Sequence, residues 1–309
     1  MLRALSPVLQ EKAEKELNEV SSRISSDIHT LREWLKKQPH LQSVNPPDQF
    51  LVGFLRGNKY SLERSKEKLD MYYTLKTVVP EMYGDRNPFN PAIQEMLKIG
   101  IFLPLKRCSA EDATRICICR FGQFDNSKHK MSDVLKIMYI IFEILVLEDD
   151  NYVISGEECL LDMQGAGIGT FIQWTPALAK KFVISMEKSL PLRMKGTYTI
   201  NAPPSFDAAH AILRMFLGEK LKKRFLYFND NVEEVYKIVP RRILPKEYGG
   251  EDGTIQDLID HWKVKVEKYK DWFQEQESQL SDETLRPEKP VTSSSLFGVE
   301  GSFRKLEVD

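Results

Sequence analysis

The chain has little of what marks several large functional classes. Its 309 residues include four cysteines, Cys108, Cys117, Cys119 and Cys159, too few to staple a chain of this length with disulfides. Cys117 and Cys119 stand two apart in an apolar run, which puts both on one face of a strand and is poor Cys-x-x-Cys spacing. Charge of one sign is missing as well: 44 basic against 45 acidic residues leave a net −1, so bulk charge gives no pull toward nucleic acid. The longest apolar run, 137–147, is interrupted by Glu143 and is far short of the ~20 residues that span a bilayer. Charged residues fill positions 11–19, where a signal segment would carry its apolar stretch. These absences point to a soluble cytoplasmic protein with reduced thiols.

Catalytic signatures are equally sparse. Histidines 29, 40, 129, 210 and 261 are scattered without metal-ligand spacing, so no metal site is expected. Neither a Gly-x-Ser-x-Gly elbow nor a phosphate-binding glycine–lysine loop occurs. One glycine cluster, Gly165-Ala166-Gly167-Ile168-Gly169, follows a strand-like run. Its third glycine comes one residue early for a dinucleotide fingerprint, and helical patterning resumes only near Trp174, so a tight loop accounts for it. Asp162 ends that strand-like run without a second acid or base at a defined spacing, and its expected role is structural. The expectation is no enzyme, no catalytic residue and no cofactor other than a bound ligand.

What is present is pattern. Ala13, Leu17, Val20, Ile24, Ile28, Leu31 and Leu35 step by three or four and predict one amphipathic helix that Pro39 stops. Phe50, Leu51, Phe54 and Leu55 form a second apolar face, and a third helix follows Ser61. From about 100 the pattern changes. Strands are predicted over 101–105, 115–121, 152–163, 195–201 and 224–228. Helices are predicted over 132–148, 174–189, 205–217 and 254–273, the first of them apolar almost all round. Alternating strands and helices argue for a mainly parallel sheet with crossover helices. The predicted organisation is a helical N-terminal domain over 1–90, an α/β domain over 91–275, and a Pro- and Ser-rich flexible tail over 276–309.

Charge is unevenly spread. Residues 180–246 hold 14 Lys/Arg against 6 Asp/Glu, a surplus of +8, so the remainder carries −9. Arg193 and Lys195 precede one strand-like run. Lys220, Lys222, Lys223 and Arg224 follow the helix predicted over 205–217, whose apolar stripe includes Phe206, Ala209, Leu213 and Phe216. An apolar stripe bounded by cations suits a helix at a membrane surface. It equally suits an ordinary amphipathic helix packed on a sheet.

Five segments occur in an order that resembles CRAL-TRIO proteins. They are Phe54-Leu55-Arg56-Gly57-Asn58-Lys59-Tyr60, Leu161-Asp162-Met163-Gln164-Gly165, Pro191-Leu192-Arg193-Met194-Lys195-Gly196, Asn201-Ala202-Pro203 and Leu244-Pro245-Lys246-Glu247-Tyr248-Gly249-Gly250. They cover roughly 45–275 and resemble most the branch of tocopherol and retinaldehyde carriers. The resemblance implies an α/β lipid-binding domain behind a helical N-terminal unit, with a sheet flooring an apolar pocket and an amphipathic lid helix over it. It implies a monomeric intracellular carrier that moves a small lipid of tocopherol, retinoid or isoprenoid type between membranes and touches them peripherally.

By the same resemblance, Arg193, Lys195, Lys220 and Arg224 would bind a phosphoinositide headgroup such as phosphatidylinositol bisphosphate, and the helix between them would be the lid. Matching pocket positions are Leu135, Met138 and Phe142 on the apolar helix, Trp174, Phe182 and Met186 on the next, Leu190 and Leu192 before the strand, and Phe206, Ile212, Leu213 and Phe216 on the lid. Met138 and Phe142 are bulkier than the tocopherol branch would have, which argues against tocopherol itself. The alternative function is a lipid-sensing regulatory or adaptor module without net transfer, which presents the N-terminal helices or the tail to a protein; the tail segments Leu296-Phe297 and Ser302-Phe303-Arg304-Lys305-Leu306 would dock on a partner or back on the core.

Overall fold

A computed structural model describes residues 2–228 and 232–298. The N-terminal part is helical: α1 (Pro7–Leu17), α2 (Ile24–Lys36), α3 (Asp48–Gly57), α4 (Leu62–Val78), α5 (Pro80–Tyr83) and α6 (Pro91–Ile99). The single helix predicted through Leu17 is two. Asn18 adopts φ 62° and ends α1, a left-handed cap that asparagine tolerates. The following Glu19 turns inward to meet Arg56 of α3 at 2.8 Å and the Tyr60 hydroxyl at 2.8 Å.

Among the described residues one sheet of five strands follows: β1 (Phe102–Pro104), β2 (Arg115–Arg120), β3 (Glu157–Asp162), β4 (Met194–Ile200) and β5 (Phe225–Tyr227), in spatial order β1-β2-β3-β4-β5. β1 pairs antiparallel with β2, and the other pairs are parallel. The architecture is α/β with a mainly parallel sheet. The crossovers are α7 (Met131–Glu148) with α8 (Asp150–Ile154), α9 (Ile168–Ile172) with α10 (Pro176–Ile184), and α11 (Phe206–Phe216) with α12 (Glu219–Lys222). A π-helical turn, Ser185–Ser189, extends α10.

Two predicted elements divide. The strand expected over 152–163 begins as α8, because the Asp149 side chain accepts from Tyr152 N at 3.0 Å and starts a helical turn. Gly156 then reverses the chain at φ 96°, where a Cβ would lie 2.3 Å from the Arg193 carbonyl, and β3 starts at Glu157. The helix expected over 174–189 starts at Thr175, whose hydroxyl caps Leu178 N, with Pro176 in the first turn.

After β5 come α13 (Val232–Ile238), α14 (Ile255–Lys268), α15 (Lys270–Gln276) and α16 (Ser293–Phe297). The segment predicted to be a flexible tail packs back as far as it is described. Gln276, Gln279 and Ser281 are buried, Arg286 pairs with Asp70 at 2.7 Å, and Phe297 is buried against the core. Its Pro and Ser content signals an absence of regular secondary structure, which does not prevent docking on a preformed helical surface. Ser302-Phe303-Arg304-Lys305-Leu306 lies outside the described residues.

Candidate functional site

Residues two apart on a strand share a face. One face of this sheet presents Cys119 and Phe121 after β2, Glu157, Cys159 and Leu161 from β3, Met194 and Thr197 from β4, and Phe225 from β5 to a single cavity. Helices close it. α7 contributes Leu135, Met138 and Phe142; the α10 region contributes Trp174, Phe182 and Met186; α11 contributes Phe206 and Leu213. The cavity volume is about 110 Å³, below the roughly 300–1,000 Å³ of small-molecule sites. α11 presents Phe206, Ala209, His210 and Leu213 inward, while Met215 stays 64% exposed.

Four positions implied by the resemblance lie elsewhere. Leu190 and Leu192 belong to the segment that backs onto the N-terminal helices. There the Leu190 carbonyl accepts from Lys68 Nζ at 2.6 Å, and Gly57 approaches Pro191 so closely that a Cβ would sit 2.3 Å from its carbonyl oxygen. Phe216 packs with Leu213, Leu217 and Val183 beside the cavity, and Ile212 is half-buried on α11 without lining it. The sequence reading expected a sheet as the floor but named none of the strand residues that form it. The alternation Arg115-Ile116-Cys117-Ile118-Cys119 held the signal, but an apolar run reads the same on both faces of a buried strand.

The four basic positions come together. Arg193 and Arg224 each donate through Nη1 to a backbone carbonyl, of Ile154 and Met194 respectively, which fixes both guanidinium groups at the start of β4. Burial, then the fields of Arg193, Arg224 and Lys12, hold the Lys195 ammonium below its ordinary range. The Arg224 field does the same to Lys220, followed by burial and by Lys59 and Arg193. Lys12 of α1 and Lys59 after α3 therefore join the cluster across a long sequence distance, which no local pattern announces. Glu16 offsets part of it, 3.6 Å from Arg193 Nη2 and 4.0 Å from Lys12 Nζ.

Reactive groups are muted. Burial pushes the thiols of Cys117, Cys119 and Cys159 well above their ordinary range, so they are not nucleophiles at neutral pH. Asp162 accepts from Gln164 N at 2.9 Å, Asn201 Nδ2 at 2.8 Å and the Tyr248 hydroxyl at 2.7 Å, which ties the glycine loop to β4 and to the Leu244–Gly250 segment. Among the described residues no group of three or more His, Cys, Asp or Glu is placed to hold a metal ion. None of the described helices is long and apolar enough to cross a membrane.

A mainly parallel sheet flooring an apolar cavity, roofed by an amphipathic helix with a basic cluster where that helix ends, is the arrangement of a lipid-binding domain. Comparison with known proteins agrees: the family described as CRAL/TRIO domain matches residues 110–250, and a family described as Pinta-like, UBA domain matches 20–93. Residues 110–250 are a CRAL/TRIO domain. The chain is 28% identical over 252 residues to human alpha-tocopherol transfer protein-like, covering 82% of this chain and 72% of that protein. It is 24% identical over 304 residues to human Clavesin-2, covering 95% and 92%. Orangutan (Pongo abelii) Clavesin-1 is 25% identical over 246 residues, covering 80% and 69%.

Proposed function

We propose that the protein is an intracellular carrier that takes one small lipid of tocopherol, retinoid or isoprenoid type into the cavity, moves it between membranes, and releases it when the basic cluster binds a phosphoinositide. The observation that carries this reading is the junction of cavity and cluster: α11 roofs the cavity, and the chain leaving it supplies Lys220 and Arg224 beside Arg193 and Lys195. Several cations on one multivalent phosphate outbid single contacts, and arginine engages it bidentately. Two features support membrane docking at the roof. α9 packs on α11, and these two helices leave Ile168 68%, Ile172 70% and Met215 64% exposed. An exposed apolar surface on the roof, with a basic cluster where the roof helix ends, suits an anionic bilayer surface. Docking would draw α11 toward the bilayer and open the cavity.

The test is transfer of a fluorescent lipid between donor and acceptor vesicles, with and without phosphatidylinositol bisphosphate in the acceptor. R193E/K220E should bind the lipid normally yet lose the acceleration that the phosphoinositide gives. An acceleration equal to that of the native chain would remove the headgroup role from these residues. Tight lipid binding with no transfer under either condition would favour the lipid-sensing module instead.

A further inference from the structure

The cavity is not apolar throughout. Glu157, the first residue of β3, lines it at 2% exposure, and its Oε2 has no hydrogen-bond partner. We propose that Glu157 is the polar end of the cavity and selects lipids carrying one neutral hydroxyl or carbonyl group, whose hydrogen bond completes the Glu157 carboxyl. This rests on the carrier reading and narrows its cargo.

The position of Glu157 sets the orientation. In the sheet register it stands between Arg115 of β2 and Met194 of β4, at the end of the strands where Arg193 and the basic cluster begin. The rings of Phe171 and Phe206 lie toward the opposite end, with Met163 just past the C-terminus of β3. A ligand seated head-first on Glu157 therefore runs its apolar body along β3 toward α9 and the start of α11.

Packing does not explain this carboxyl, in contrast to the other orphaned polar atom on the cavity wall. His210 Nε2 is also unpartnered, but its ring stacks on Phe206, lies against Phe225 and Tyr227, and engages the Tyr227 hydroxyl through Nδ1. No cation acts on Glu157. Burial pushes its carboxyl up to about 8, opposed only by a hydrogen bond with the Cys117 thiol. The protonated form is therefore favoured at neutral pH, with one donor and one acceptor to offer. A buried polar atom without a partner is costly, and a ligand group that supplies one gains affinity and specificity together. An alcohol matches both functions of the neutral acid. A hydrocarbon leaves the orphan in place.

The test uses the full chain and two probes of equal length, oleyl alcohol and octadecene, competing against a bound fluorescent alkyl probe. The native protein should prefer the alcohol by about tenfold, the worth of one buried hydrogen bond. E157Q, which keeps a donor and an acceptor, should retain a preference. E157L should bind both equally while holding octadecene as tightly as the native chain. Should E157L fail to fold, infrared difference spectra of the native chain decide: the protonated carboxyl band should shift on binding the alcohol and stay put with octadecene. Equal affinities in the native chain, an alcohol preference that survives E157L, or an unmoved carboxyl band overturns the proposal while leaving a carrier of unselective cargo. Binding of neither probe overturns it together with the carrier reading.

Discussion

Arg86 and Glu143 pair through Nη1 and Oε1 with both side chains at 0% exposure. Glu143 is the acid that interrupts the apolar run of α7, and Arg86 comes from the loop between α5 and α6, so the pair fastens the N-terminal helices to the helix that walls the cavity. Arg86 also lies over the Phe273 ring at 5.1 Å. Removing one member leaves the other charge buried and alone, at a cost of about 3–5 kcal/mol, whereas replacing both with apolar groups is often neutral. R86L and E143L should each lower the unfolding free energy measured in urea by that amount, and R86L/E143L should be more stable than either single variant. A double variant as unstable as the sum of the singles would show that the pair acts through something other than charge.

A second buried charge makes stability depend on pH. Lys76 of α4 donates to the Gln276 carbonyl at 2.6 Å and lies over the rings of Tyr72 and Tyr73. Burial, with the field of Arg86 added, lowers its ammonium from 10.5 to about 7, against opposing fields from Glu143 and Glu277. Between those values the folded chain has released a proton that the unfolded chain still holds, so this residue adds stability as pH rises. Relative to K76M, the native chain should gain about 1.4 kcal/mol per pH unit above neutrality, with no change in the difference below pH 7. Chemical denaturation at pH 6, 8 and 9 (roughly the span over which the linkage acts) reads the slope. A difference independent of pH would mean that Lys76 stays charged in the fold.

The order of elements was legible because period and punctuation are local. Alternation marked β2, three-and-four spacing marked α11, and the stretch read as one helix over 174–189 holds α10 and its π-helical extension. The basic residues Arg193, Lys195, Lys220 and Arg224 were legible through ordered motifs, while Lys12 and Lys59 were not, because only the packing of α1 and α3 against the start of β4 brings them near. The need for glycine at position 57 was not legible, because only the fold brings Pro191 against it. Glu157 escaped notice because the strand predicted over 152–163 places Glu157-Glu158 in its middle without saying which of the two faces inward. Strand alternation sends the two to opposite faces, Glu157 into the cavity and Glu158 to the Tyr198 hydroxyl at 3.0 Å.

Those two distant lysines give a direct test of the cluster. Lys59 is held in place by a left-handed turn, with φ 55° at Lys59 and 56° at Tyr60, and by the Tyr60 hydroxyl on Glu19 at 2.8 Å. Each cation near an anionic bilayer contributes about 1 kcal/mol. K12Q/K59Q should therefore weaken binding to phosphoinositide vesicles by about thirtyfold, and the loss should shrink as salt rises. Cargo affinity should not change, because neither residue lines the cavity. Vesicle flotation at two salt concentrations measures both effects. Unaltered binding would confine the docking surface to the four residues around β4.

The C-terminal segment gives the last test. Asp282 N donates to the His40 carbonyl at 2.8 Å, Ser43 Oγ donates to the Leu280 carbonyl at 2.7 Å, and Arg286 bridges Asp70 at 2.7 Å, Thr74 at 2.8 Å and Glu283 at 2.6 Å. Further on, α16 packs on α10, where Phe297 lies beneath Lys181 Nζ at 5.6 Å from the ring centroid. This strap crosses α4 and ends on a helix whose Phe182 and Val183 wall the cavity. Hydrogen bonds to charged groups contribute about 1.5–3 kcal/mol, so R286M should lose an amount in that range by urea denaturation. F297S should cost less globally but raise amide exchange along α10, since it releases only the end of the strap. Lipid transfer should survive truncation after 298 and slow after truncation at 275, where α10 loses its outer support. Unchanged exchange along α10 in F297S would separate the strap from the cavity and leave it a brace for α4 alone.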